Sequence, residues 1–222
     1  AAAAGHSLGE YSALYAAGVL GLRDVLKLVR WRGKLMHEAS LQEPGSMAAI
    51  IDLTPDKVRE ICVACDVEVA NINCPDQIVI TGLHELVERA IALGTEVGAQ
   101  KCIKLNVSGP WHSRCMAYAR ERFEPVVREC TFREPQIPIL HNVDSLPLQA
   151  AKDAPERLIE QICRPVLWKQ SMERLVSFGR RNFVEVGPKK VLRGLMRRID
   201  RTVKVLNVED SASLASFLQA NQ

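Results

Sequence analysis

The chain has 222 residues and a formal net charge of +3, from 29 Lys and Arg against 26 Asp and Glu, which leaves room for one large domain or two small ones and excludes a dedicated nucleic-acid binder. Hydrophobic residues make up 47% and charged residues 25%, which excludes global disorder and gives a sizeable buried core. No apolar run approaches the ~18–20 residues of a membrane span, no signal peptide is visible, and the seven scattered cysteines read as reduced thiols of a cytoplasmic protein.

Helical periodicity begins at 11–17, closed by Gly18. It continues over 22–39, with apolar residues at 22, 25, 28, 29, 35 and 36 on one face. After a turn at 42–45 the pattern changes. A buried strand at 47–53 leads to Thr54 as N-cap and Pro55 at the first helical position, then a helix at 55–65. Strands at 67–72 and 77–81, a helix at 83–97 and a strand at 101–107 complete a β-α-β-β-α-β order, the ferredoxin-like split unit. Beyond the loop at 108–113, the spacing predicts a helix over 114–129, a strand at 136–142 broken by Pro138, and helices at 154–163 and 166–178. A strand at 182–186, a helix at 189–199, a strand at 203–207 and a helix at 211–219 close the chain. Strands alternating with helices imply a mostly parallel sheet outside the insert. The expected organisation is a large α/β domain of residues 1–46 and 107–222 carrying a small ferredoxin-like domain of residues 47–106.

Gly5-His6-Ser7-Leu8-Gly9 fits the G-x-S-x-G nucleophile elbow, in which a strained strand-to-helix turn exposes a serine over a helix N-terminus. The Leu8 N–H would point at a developing oxyanion. A Gly-Ser helix cap would give the same residues. A serine needs a base, and among five histidines His112, in the Ser-Gly-Pro-Trp-His-Ser loop that rejoins the main domain, is well placed. A satisfied turn histidine is the plain alternative. His37 and His84 read as surface residues.

Arg32 falls within the apolar stripe of the second helix, and a buried guanidinium requires a partner. That partner is a core Asp or Glu, or a substrate carboxylate gripped by two hydrogen bonds; otherwise the head group snorkels to solvent. Cys62 and Cys65 form a lone CxxC with no second pair, read as core packing with no metal site. Lys190, Arg193, Arg197 and Arg201 form a basic ridge, a solvated face or a dock for an acidic partner.

With Arg32-Gly33-Lys34-Leu35-Met36, Gly109-Pro110-Trp111-His112-Ser113, Asn71–Gln77, Gln161–Trp168 and Glu185–Pro188, the elbow and its extension to Leu14 resemble the malonyl-CoA:acyl-carrier-protein transacylases and the related acyltransferase domains of polyketide synthases. The resemblance runs through the whole chain in order. It implies an α/β-hydrolase-like large domain with a ferredoxin-like insert. It further implies Ser7 as nucleophile, His112 as general base and acid, Arg32 as the grip on a malonyl carboxylate, and Leu8 as an oxyanion donor. Gln161 matches the residue whose backbone carbonyl orients the histidine. Trp111 stands where the family usually has Phe and resembles the malonyl-selective pattern. Coenzyme A thioesters and acyl carrier protein are the implied substrate and partner, with no cofactor.

The four alanines that open the chain, without Met, predict a missing front: family members carry a Gln-containing loop ahead of the elbow that gives the second oxyanion donor, here expected in cis or in trans. Two other readings stay open. A serine acyl hydrolase shares the elbow but would place a late histidine, and residues 142–222 contain none. An incomplete, non-catalytic docking domain is the other.

Overall fold

The computed structural model describes residues 1–220, so the last two residues of the expected 107–222 segment lie outside the described residues. The chain divides into two compact units, Ala1–Ser171 and Met172–Gln222. Residues 47–106 lie within the first unit.

In the first unit a two-residue strand β1 (Ala3–Ala4) runs into the turn at 5–8 and then α1 (Gly9–Ala16). Helix α2 (Leu22–Gln42) buries Val25, Leu28, Leu35, Met36 and Ala39 along the stripe predicted from its periodicity, and Arg32 among them.

The insert begins with β2 (Gly45–Ile51) and α3 (Pro55–Cys65), where the Thr54 side chain accepts from Lys57 N–H at 3.4 Å and Pro55 occupies the first turn. Next come β3 (Glu68–Cys74), β4 (Gln77–Leu83), α4 (His84–Glu96) and β5 (Lys101–Lys104). The four strands pair antiparallel in the order β3-β4-β2-β5. Ile50, Ile61, Ile80 and Val87 form a separate core beneath the two helices. This is the ferredoxin-like arrangement.

The chain then crosses a single 3₁₀ turn (Arg114–Met116) into α5 (Ala117–Arg128), which tolerates Pro125 three residues from its end. The strand expected at 136–142 is reduced to β6 (Ile139–Leu140), because Pro138 has no N–H to give a ladder. Its carbonyl does accept from Ala3 N–H at 2.8 Å, and β6 pairs with β1 in parallel, Ala3 opposite Ile139. Helix α6 (Ala154–Gln161) packs Leu158 and Ile159 into the main cluster with Tyr11, Leu14, Leu28 and Phe123. Helix α7 (Trp168–Ser177) starts two residues later than expected. Val166 stays extended, bonding Ala70 and Ile72 of β3 through its N–H and carbonyl at 2.8 and 2.9 Å.

The second unit contains β7 (Asn182–Val186), α8 (Val191–Ile199), β8 (Lys204–Val208) and α9 (Ser211–Gln219). β7 and β8 pair in parallel. The Glu185 carboxylate caps α8 by accepting from Leu192 and Arg193 N–H at 2.9 and 3.0 Å. Of the basic ridge, Lys190, Arg197 and Arg201 are exposed and Arg193 is half-buried, and Lys190 meets Glu209 at 3.6 Å. Outside the insert both strand ladders among the described residues are parallel, as the alternation of elements predicts, beside two isolated antiparallel bridges, Leu20 with Phe132 and Leu140 with Pro147. No helix of the described residues is long and apolar enough to cross a membrane.

Candidate active site

Ser7 sits between β1 and α1 with φ +52°, a left-handed conformation that a non-glycine residue holds only when its surroundings fix it. Gly5 explains the tightness of the turn. A Cβ there would lie 2.0 Å from the carbonyl carbon and oxygen of Gly9. The two glycines differ, since nothing lies within 4 Å of a Cβ built on Gly9.

Asn142 clamps the turn. Its Oδ1 accepts from Ser7 N–H and its Nδ2 donates to the Gly5 carbonyl, both at 2.7 Å. The parallel register of β6 against β1 sets this up, because its offset carried two residues further places Asn142 opposite the elbow. Sequence reasoning did not name Asn142. The signal, a polar residue just beyond a short apolar strand, has meaning only once that register is known.

His112 Nε2 lies 2.8 Å from Ser7 Oγ, and its Nδ1–H donates to the Gln161 carbonyl at 2.8 Å. Gln161 ends α6, so this carbonyl is one of the groups an α-helix leaves without an internal partner. The negative end of the helix dipole also favours an imidazolium there. His112 is 3% exposed, also has positive φ (+60°), and has its pKa pushed down to about 3, first by burial and then by the nearby Arg32 charge. The imidazole is thus neutral and able to accept a proton.

Arg32 is 7% exposed. Its Nη2 donates to Ser7 Oγ at 2.9 Å and to Gln161 Oε1 at 3.1 Å, and its guanidinium stands 5.8 Å from the Tyr11 ring centre. Among the described residues no carboxylate reaches ion-pair distance of it, and its buried Nε has no hydrogen-bond partner. Of the readings left open by sequence, both the core ion pair and the snorkelling head group are therefore absent. A buried cation is left with its Nη2 on the serine and its Nε without a partner.

The structure thus gathers Ser7, His112, Arg32 and Gln161. The Leu8 N–H, just before α1, has no protein acceptor among the described residues, while its side chain is half exposed. Trp111 is partly buried against two hydrophobic clusters and takes no part in these polar contacts. His6, beside the serine, turns elsewhere: its Nε2 meets Asn73 Oδ1 of β3 at 2.8 Å, and burial lowers its pKa. His37 and His84 are exposed. Cys62 and Cys65 are buried, with the Cys62 thiol pushed up to about 12 by burial. Among the described residues no group of three or more His, Cys, Asp or Glu is arranged to hold a metal.

The acyl transferase domain family matches residues 1–222. The malonyl CoA-acyl carrier protein transacylase of Bacillus subtilis (strain 168) is 39% identical over 221 residues, which cover 97% of this chain and 70% of that protein. The crystal structure of an acyl carrier protein S-malonyltransferase from Vibrio cholerae O1 biovar eltor superposes with a TM-score of 0.92 at 39% identity, covering 96% of this chain and 71% of that one. A structure of a type II PKS acyl-carrier protein in complex with its malonyl-transacylase gives 0.94 at 38% identity, covering 98% and 72%.

Proposed function

The chain belongs to the acyl transferase domain family, and we propose that it carries an acyl group on Ser7 with His112 as the proton carrier. It is an acyltransferase whose reaction is the transfer of malonyl from malonyl-CoA to the thiol of acyl carrier protein, in fatty-acid or polyketide synthesis. The observation that carries the site assignment is the buried Arg32, which has no carboxylate of its own and touches the nucleophile.

Ser7 Oγ attacks the thioester carbonyl while its proton passes to His112 Nε2. The tetrahedral oxyanion meets the Leu8 N–H at the positive end of α1. Collapse breaks the C–S bond, and His112 returns the proton to the departing thiolate of coenzyme A. The carrier-protein thiol then enters, gives its proton to His112 and takes the acyl group, restoring Ser7 Oγ–H. Arg32 grips the malonyl carboxylate through the unpartnered Nε and the Nη2 hydrogen that Ser7 Oγ gives up on acylation, a two-point contact that acetyl cannot make. Trp111, next in sequence to the base, contributes to malonyl selectivity. A serine acyl hydrolase has no use for a guanidinium held against its nucleophile, and a docking domain has no use for an aligned serine and histidine.

The relatives are longer than this chain, and the same reading takes a second oxyanion donor from outside residues 1–222, in cis or in trans. It also places the chain in the cytoplasm, where seven thiols stay reduced. Initial velocities with malonyl-CoA and carrier protein varied together test the reaction scheme. Parallel double-reciprocal lines are expected from an acyl-serine intermediate; intersecting lines would mean direct transfer between the two thiols.

A further inference from the structure

Glu10, in the first turn of α1, is fully buried, and so is the Gln161 side chain. The Glu10 carboxylate accepts from His141 Nδ1–H at 2.5 Å, from Asn142 N–H at 3.3 Å and from Gln161 Nε2 at 2.6 Å. The other end of the same Gln161 amide, Oε1, accepts from Arg32 Nη2 at 3.1 Å, and Nε2 also donates to the Ser7 carbonyl at 3.1 Å. One neutral amide therefore stands between a buried carboxylate and a buried guanidinium. Its orientation is dictated by its partners. A guanidinium only donates and an ionised carboxylate only accepts, so the oxygen must face Arg32 and the nitrogen Glu10.

A carboxylate and a guanidinium buried this close would ordinarily pair directly, since each is costly to bury alone. Direct pairing would consume the donors that a substrate carboxylate needs. We propose that the Gln161 side chain is a specificity-determining spacer, holding Glu10 off Arg32 so that Arg32 stays open to the carboxylate of the acyl group. The spacer still lets the Glu10 charge act on Arg32 through two hydrogen bonds, which keeps the cation tolerable in the resting site. This role is separate from that of the Gln161 main-chain carbonyl on His112, and it rests on the acyl-transfer reading above.

The test separates amide from carbonyl. Gln161→Leu keeps the carbonyl and removes both side-chain hydrogen bonds, leaving Glu10 and Arg32 to meet. The malonyl-CoA to acetyl-CoA ratio of kcat/KM should fall by about tenfold or more as the grip is lost to the internal pair. Adding Glu10→Gln to Gln161→Leu removes the competing anion and should restore much of the ratio. Gln161→Glu, which sets a carboxylate against Arg32, should lower the ratio as well. If Gln161→Leu does not fold, as judged by circular dichroism, Gln161→Met takes its place. An unchanged ratio in the folded single variant, or a fall that Glu10→Gln does not reverse, would overturn the spacer. A wild-type chain that fails to take malonyl at all would instead overturn the acyl-transfer reading.

Discussion

Arg32 Nη2 stands 2.9 Å from Ser7 Oγ, so the one buried cation of α2 rests on the nucleophile itself. The contact links choice of acyl group to chemistry, because an anion held by Arg32 lies beside the serine that attacks the thioester of the same acyl group.

Arg32→Ala should therefore cost malonyl transfer far more than acetyl transfer, by about 2–5 kcal/mol if a buried charge contact with the substrate is lost. Arg32→Lys should rescue only partly, since one ammonium cannot copy a two-point grip. Thermal melting should fall by no more than the about 1–3 kcal/mol of leaving the buried Gln161 Oε1 without its donor, because no core carboxylate pairs directly with Arg32. A loss of ~3–5 kcal/mol of stability with an unchanged malonyl-to-acetyl ratio is the opposite result. Melting curves and competition between the two thioesters distinguish them.

Asn142→Ala removes both clamps on the elbow and leaves the half-buried Ser7 N–H and the buried Gly5 carbonyl without those partners. Each unsatisfied group costs about 1–3 kcal/mol. Denaturant melts should show that loss, and single-turnover acylation per folded molecule should slow as the strained Ser7 conformation relaxes. Unchanged acylation in the folded variant would mean that Asn142 does not hold the serine.

The glycines of the motif should behave differently from each other. Gly5→Ala should abolish folding or distort the turn, because the new Cβ would sit 2.0 Å from the Gly9 main chain. Gly9→Ala has open space and should be stable, with any gain coming from alanine's better helix propensity. Soluble expression and circular dichroism of both variants report the contrast.

His112 also makes stability depend on pH. Its folded pKa of about 3 lies below the ordinary histidine value of 6.5, so between those values the unfolded chain binds a proton that the folded chain refuses. Stability from this group is complete above about pH 6.5 and falls on acidification toward 3, with a slope of up to about 1.4 kcal/mol per pH unit. The groups facing the ring include Ser7 Oγ, Arg32, His6, the Gln161 carbonyl and the Arg164 main chain. His6 is shifted the same way by burial, so His112→Gln should reduce the slope without removing it. Urea titrations across this pH range in both proteins measure the difference.

Much of the site was legible in the sequence where chemistry and local spacing coincide. Ser7 is marked by its glycines, and Arg32 by lying within an apolar helical stripe where a charge is costly. His112 could be narrowed by elimination among five histidines but not separated from a turn histidine, and Gln161 entered only through the family resemblance. Asn142 carries no such mark, and Glu10 stands in the motif with no role that the sequence assigns. Their meaning comes from pairing between β1 and β6, which lie far apart in the chain, and from a helix end brought beneath the elbow. Fold legibility followed the same division. The insert has strong alternation and a Thr-Pro helix start, so its element order could be read directly. The apolar residues of 136–142 read as a longer strand than forms, because Pro138 cannot extend a ladder, and Val166 reads as helical although the edge of β3 holds it extended.

The central claim is an acyl group carried on Ser7, and intact-mass measurement after incubation with malonyl-CoA tests it most directly. The expected result is one malonyl mass per chain, located on the peptide containing Ser7, discharged by carrier protein and absent from Ser7→Ala, with His112→Ala slowing its appearance by about 10²–10⁴-fold. Full labelling of Ser7→Ala, or turnover by the wild-type chain with no acyl-enzyme trapped, would contradict the account.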